Sequence, residues 1–156
     1  MGYAHFTGSM MLSFASIESY SASTAFSMSR HSNFSSFDYD KYKRTRAFRD
    51  KLNQIFQAVG QPIDWSQGLF LKIKEMQHWR NLVAHSSPTA FDSDEGTDAS
   101  NTKTYLDRVE LEHAKSFYDT SVKYIEQLEK LTGIKPTTHV TFKVEAQEQN
   151  TNGTEN

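Results

Sequence analysis

Apolar residues recur every three or four positions through most of this chain, the period of an amphipathic helix. Phe6, Met10, Phe14 and Ile17 form the first such stripe and predict a helix from about Tyr3 to Met28. Its other positions are mostly serine, an indifferent helix former, so packing against neighbours must hold it. Residues 29–39, rich in Ser, Asn, Phe and Asp, read as a loop. Phe48, Leu52, Ile55 and Val59 mark a second helix from about Asp40 to Val59, stopped by Gly60 and Pro62. Leu69, Ile73, Met76 and Val83 mark a third, from near Ser66 to about Ser86, because Pro88 disfavours helix at the residue before it. Residues 87–104 are polar, acidic and glycine-containing, a long loop by ordinary standards. The fourth helix is expected from about Asp107 to Thr132. Its stripe is Leu111, Ala114, Tyr118, Ile125 and Leu128, and Gly133 is its C-cap.

Two weaker signals follow. His139 to Glu145 alternates in a strand-like way through Val140, Phe142 and Val144, but is too short and isolated to count as a strand. Ala146 to Asn156 has the composition of a disordered tail. No internal repeat is present. The expected fold is therefore all-α: an antiparallel four-helix bundle over residues 1–135, with residues 136–156 as a C-terminal extension. In such a bundle the apolar stripes are core rather than cofactor contacts.

Composition narrows the function classes. The 156 residues suit one domain, and 37% hydrophobic with 13% aromatic content fits a globular protein. A formal net charge of -2 gives no general attraction to nucleic acid, but the charge is uneven. Residues 41–51 carry Lys41, Lys43, Arg44, Arg46, Arg49 and Lys51 against Asp50, while residues 92–98 carry Asp92, Asp94, Glu95 and Asp98 without a cation. Either run is explained by a solvated surface. The basic one would also suit an RNA backbone, with Lys43, Arg44 and Arg46 as contacts and Tyr39 and Tyr42 as stacking platforms. The chain has no cysteine, which removes disulfides, thiolate nucleophiles and thiolate metal sites and is compatible with a cytoplasmic protein. No signal peptide is expected, since a basic n-region is lacking and Glu18 interrupts the apolar segment. No apolar run approaches the ~18 residues of a membrane span. Phe6 stands where N-myristoylation wants serine or threonine.

The candidate chemistry lies in Arg80-Asn81-Leu82-Val83-Ala84-His85. Arginine offers a planar, permanently charged fork to a phosphate, and histidine carries a proton near neutral pH. Asn81 and His85 are four apart and share a helix face with His78. Arg80 lies about 140° round from His85 on an ideal helix. Its length, with fraying at Ser86-Ser87-Pro88, would let the two converge. Arg108 and His113 repeat the spacing, but at the opening of the fourth helix and with Val109 in place of the polar second residue. They read as surface and solvated helix. No metal site is expected, since His78 and His85 lie two turns, about 10 Å, apart and no His-Glu-x-x-His occurs. No phosphate-binding glycine loop or nucleophile elbow appears either, so no cofactor is expected.

Arg80-Asn81-(three residues)-His85, near the end of the third of four expected helices, resembles the signature of the HEPN superfamily: arginine, a polar residue often asparagine, and histidine after four to six positions. The resemblance covers roughly residues 3–132, with the motif and the helical order as its distinctive parts. It implies a homodimer whose two motifs face each other across a cleft, and a metal-independent endoribonuclease of toxin–antitoxin, phage-defence or RNA-processing systems. His85 would then serve as general base or acid, Arg80 would hold the scissile phosphate, and Asn81 would orient the phosphate or His85. Glu18 would line the cleft, as an acidic residue of the first helix often does in this family, and His78 would face it. An antitoxin or other regulatory protein would be a partner. Some members bear a tyrosine two residues after the histidine as a modification target; Ser87 stands there, which puts that regulation in doubt. The alternatives are a non-catalytic HEPN-like module that binds a protein or nucleic acid, and an unrelated bundle in which the motif caps a helix or locks an interface.

Overall fold

The computed structural model describes residues 2–85 and 110–136, with side chains from His5 to Ala84 and from Glu110 onward. The expected loop at 87–104, Arg108, the strand-like His139–Glu145 and the tail Ala146–Asn156 lie outside the described residues. Within them the protein is all-helical, without a strand: α1 (Gly2–Met28), a 3-10 turn (Ser32–Phe34), α2 (Tyr39–Arg44), α3 (Phe48–Ala58), α4 (Gly68–His85) and α5 (Leu111–Thr132). No described helix is long and apolar enough to cross a membrane.

The expected second helix is two. Tyr42 and Phe48 are six residues apart, which on one continuous helix would set them about 120° out of phase. Both ring systems pack inward: Tyr42 is buried, and Phe48 stands 5.0 Å from the Phe14 ring. The chain reconciles them by extending between Thr45 (φ -69°, ψ 124°) and Ala47 (φ -70°, ψ 123°). Local hydrogen bonds hold the break. Thr45 returns its N–H and its hydroxyl to the Lys41 carbonyl, and Gln54 Nε2 donates to Thr45 Oγ1 at 2.9 Å. Asp38 caps α2, accepting from the Lys41 N–H at 2.8 Å.

α1 packs most extensively on α5, and both of these touch α4, while α2 and α3 lie against α1. Met10, Phe14 and Ile17 of the expected α1 stripe are buried, and Phe6 is half-buried. The α1–α5 seam is more polar than periodicity predicts. Ser21, Thr24, Thr120 and Ser121 are buried there, and Ser21 Oγ and Tyr124 OH share a 2.6 Å hydrogen bond. Short hydroxyl side chains let two helices approach closely while Ser21, Thr120 and Ser121 bond carbonyls of their own helices, at Ile17, Ser116 and Tyr118; the Thr24 hydroxyl is buried without a partner among the described residues. At the far end of the seam, Tyr20 OH donates to Glu129, whose other oxygen meets Lys135. Burial and the neighbouring Glu129 carboxylate push the Tyr20 hydroxyl above the usual tyrosine range.

The inward face of α5 is accordingly turned from the expected stripe. Ala114, Ser121, Tyr124 and Leu128 are buried, whereas Leu111 and Tyr118 are 64% and 60% exposed. Spacings of seven, three and four residues carry that face, and hydroxyl-bearing positions supply part of it. His113 is not a solvated residue, since it is half-buried and its Nδ1 is enclosed. α4 buries Ile73, Met76 and also Trp79, whose ring stands edge-on 5.4 Å from Phe117. Gly133 closes α5 at φ +67°, with its N–H on Glu129 O and nothing within 4 Å of where a Cβ would stand. Gly133→Ala should therefore lower stability by about 1–2 kcal/mol through backbone conformation alone, read as a reduced urea midpoint with an unchanged m-value.

Candidate functional site

The phase of α4 sets out the candidate residues. Trp79 turns into the core, so Arg80 and Asn81 emerge on either side of the outer surface. Lys74, His78 and Asn81 follow spacings of four and three, so they share one face, and the backbone position of His85 continues it one turn later. The His85 side chain lies outside the described residues.

Arg80 is held from two directions. Its Nη2 donates to Glu18 Oε1 at 3.1 Å and Oε2 at 3.4 Å, and its Nη1 donates to Asn81 Oδ1 at 3.1 Å. Its guanidinium carbon lies 5.5 Å from the centre of the Phe14 ring. Phe14 and Glu18 are one turn apart on α1, so that helix presents an aromatic face and a carboxylate to the same cation. Both partners are about one-third exposed, at 34% and 37%, so water screens the pair and its contribution to stability is small. Guanidinium has five N–H donors, and these contacts leave some of them for an incoming phosphate. Because Asn81 Oδ1 accepts from Arg80, the amide keeps its NH2 as a donor.

Asn81 also borders a cleft of about 600 Å³ lined by the first turn of α3, by Trp65 before α4, and by the outer face of α4. Arg49, Lys74 and His78 supply cations or protonatable groups, Asn53 and Gln77 supply amides, and Asp50 is the single carboxylate. Trp65 Nε1 donates to Asn53 Oδ1 at 3.0 Å, which fixes the indole in the wall, and Arg49 lies 5.9 Å over its ring. The N-terminus of α3, Ala47 to Asp50, borders the same cleft; Ala47 provides no side-chain cap, and Asp50 in the first turn offsets the partial positive end of the helix. Asp64 secures the approach to α4 by accepting from Ser66 Oγ, Ser66 N–H and Gln67, hydrogen bonds that hold its carboxyl below the usual carboxylate range.

Of the residues singled out from sequence, Arg80, Asn81 and Glu18 come together directly, and His78 joins Asn81 along the cleft. Lys43, Arg44 and Arg46 do not line it. Lys43 pairs with Asp40 at 2.8 Å, Arg44 Nε donates to Asp40 O, and Arg46 is exposed in the break between α2 and α3. Tyr42 is buried and its hydroxyl is pushed up to about 12, chiefly by desolvation, so its ring is not a platform for a base. Of the cations that do border the cleft, Arg49 belongs to the basic run 41–51 but not to the three contacts singled out from it, and Lys74 was not singled out at all. Lys74 was detectable, because it precedes His78 and Asn81 on their own helical period. The place of Arg49 in the cleft was not, because its direction depends on the break at 45–47. Among the described residues, no three histidine or carboxylate side chains converge as a metal site requires. Comparison with known proteins finds no matching family model, no matching curated protein and no matching solved structure.

Proposed function

We propose that the protein is a metal-independent endoribonuclease of HEPN type that acts as a homodimer. The observation that carries this reading is the Glu18–Arg80–Asn81 chain of hydrogen bonds at the edge of a cationic cleft, one helical turn before His85. Glu18 and Phe14 fix the guanidinium before substrate arrives, which lowers the cost of aiming it at a phosphate. In the proposed reaction a histidine takes the proton of a ribose 2′-hydroxyl, and the 2′-oxygen attacks the adjacent phosphorus. The bond from phosphorus to the 5′-oxygen breaks, and that oxygen is protonated as it leaves. The products are a 2′,3′-cyclic phosphate and a 5′-hydroxyl. Arg80 stabilises the charge that accumulates on the non-bridging oxygens, and Asn81 orients that phosphate. DNA lacks the 2′-hydroxyl and is spared. A toxin–antitoxin or phage-defence setting in the cytoplasm, with an antitoxin as regulatory partner, suits such an activity. Incubating the purified chain with labelled single-stranded RNA in EDTA should give cyclic-phosphate ends.

A second reading has its own support. The Glu18–Arg80 pair joins α1 to α4, as a structural latch in a non-catalytic binding module would. The two readings differ in stability. An enzyme predicts that Arg80→Ala lowers unfolding free energy by at most about 1 kcal/mol, the ordinary value of a partly exposed pair. A latch predicts a clearly larger loss, together with a similar loss in Glu18→Ala, both measured by urea denaturation.

A further inference from the structure

Arg49 and Lys74 approach one cleft from different helices, and neither has an ion-pair partner among the described residues. In this they differ from Lys43, paired with Asp40, and Arg80, paired with Glu18, and resemble most described cations; what sets the two apart is that they border the same cleft. The same cleft has an aromatic wall, Trp65, locked by its hydrogen bond to Asn53 and overlain by the Arg49 guanidinium. Its remaining wall includes the amides of Asn53, Gln77 and Asn81. Its volume, about 600 Å³, falls within the ~300–1,000 Å³ common for small-ligand sites.

These features match three parts of a nucleotide. Two unpaired cations suit a phosphate. An indole with a guanidinium over it suits the flat face of a base, since stacking is available to every base. Carboxamides suit the hydrogen-bonding edge of a base, because they both donate and accept. An acidic peptide would use the cations but leave the aromatic wall and the amides unmatched. A duplex buries its base faces within the stack, whereas a single strand can splay one out.

We propose that this cleft is a nucleotide subsite for single-stranded RNA: one base lies against the Trp65–Arg49 pair, and its phosphate is held between Arg49 and Lys74. The inference rests on the ribonuclease reading above and gives that reading a substrate-positioning element outside the Arg80-Asn81-His85 motif. Asn81 couples the two regions, since it borders the cleft and accepts from Arg80. The strand therefore leaves the subsite toward Arg80, and the phosphate cleaved is a neighbour of the one Arg49 and Lys74 hold.

The test separates binding from cleavage. The full chain carrying His85→Ala is titrated with a short fluorescein-labelled single-stranded RNA of mixed sequence, followed by anisotropy at several salt concentrations. Adding Arg49→Gln and Lys74→Gln to that chain should weaken binding about tenfold and make the log–log salt slope shallower by about 0.7, the value for one phosphate contact on a single strand. Trp65→Leu should weaken it about tenfold with the slope unchanged. Lys43→Gln with Arg44→Gln should leave both quantities nearly as they were. Helicity by circular dichroism is checked throughout, and the Arg49 and Lys74 changes are on exposed side chains, so they remain decisive even if Trp65→Leu unfolds. The subsite is overturned if the Arg49/Lys74 pair binds with undiminished affinity and slope, if the Lys43/Arg44 pair carries the loss instead, or if polyglutamate displaces the RNA as effectively as unlabelled RNA does. The parent reading is judged separately from wild-type products: cleft-dependent binding with no cleavage sinks the enzyme and keeps the subsite, and cleavage indifferent to Arg49 and Lys74 does the reverse.

Discussion

Replacing His85 by alanine should reduce RNA cleavage by roughly two to four orders of magnitude while leaving the helical circular-dichroism signal and the urea midpoint close to wild type. That range is what a positioned general acid or base contributes. Arg80→Ala should lose about two to three orders of magnitude, in line with removal of a donor that stabilises developing charge. The measurement is single-turnover cleavage of an end-labelled single-stranded RNA in EDTA, with product ends resolved as cyclic phosphate or otherwise. Two results would sink the catalytic reading. One is cleavage that persists in His85→Ala, which would mark a contaminating nuclease. The other is full dependence of cleavage on added divalent metal. Overexpression toxicity that disappears with His85→Ala would be the cellular counterpart of the expected result.

The largest structural effect belongs to the residue beside the motif. Trp79→Ala should destabilise the protein by about 3–5 kcal/mol, the usual cost of removing a large aromatic side chain from a packed interior. Trp79 is 1% exposed and joins Met10 and Ala114 in a cluster flanked by Phe6, Met11, Val83 and Phe117. Removing its ring leaves a cavity under the outer face of α4, precisely where Arg80 and Asn81 take their orientation. Urea denaturation gives the stability loss. Cleavage by the fraction still folded should also fall, because the motif's helix loses its support. A change below about 1 kcal/mol would mean that the cluster does not exclude solvent as described.

Much of this architecture could be read from the order of residues, and its exceptions have physical causes. The helices around Phe14, Ile55, Ile73 and Leu128 follow from periodic apolar positions, because burying one face is what stabilises a helix in a small protein. The break after Arg44 was hidden. Its signal is the six-residue offset between Tyr42 and Phe48, which counts only if both are known to be buried. The rotated face of α5 was hidden for another reason: buried serine and threonine look like surface until their partners are known, and Ser121 and Tyr124 pack toward α1. At the candidate site, the Arg80-Asn81 pair was legible as a motif and Glu18 through the family resemblance. The indole of Trp65 was not, nor was the placing of Arg49, otherwise one member of the basic run 41–51, because both meet Asn81's cleft through tertiary packing that no local spacing encodes.

The hydroxyl pair Ser21–Tyr124 has one more consequence. An all-apolar seam between two long helices tolerates sliding, because one aliphatic contact replaces another at little cost. A buried hydrogen bond does not: displacement by one turn, about 5.4 Å, strands the Tyr124 hydroxyl without a partner and leaves Ser21 only the Ile17 carbonyl of its own helix. The pair therefore works as a vernier stop that sets the axial height of α1. Glu18 lies three residues before Ser21 on that helix, so the stop that aligns the core also delivers the carboxylate level with Arg80.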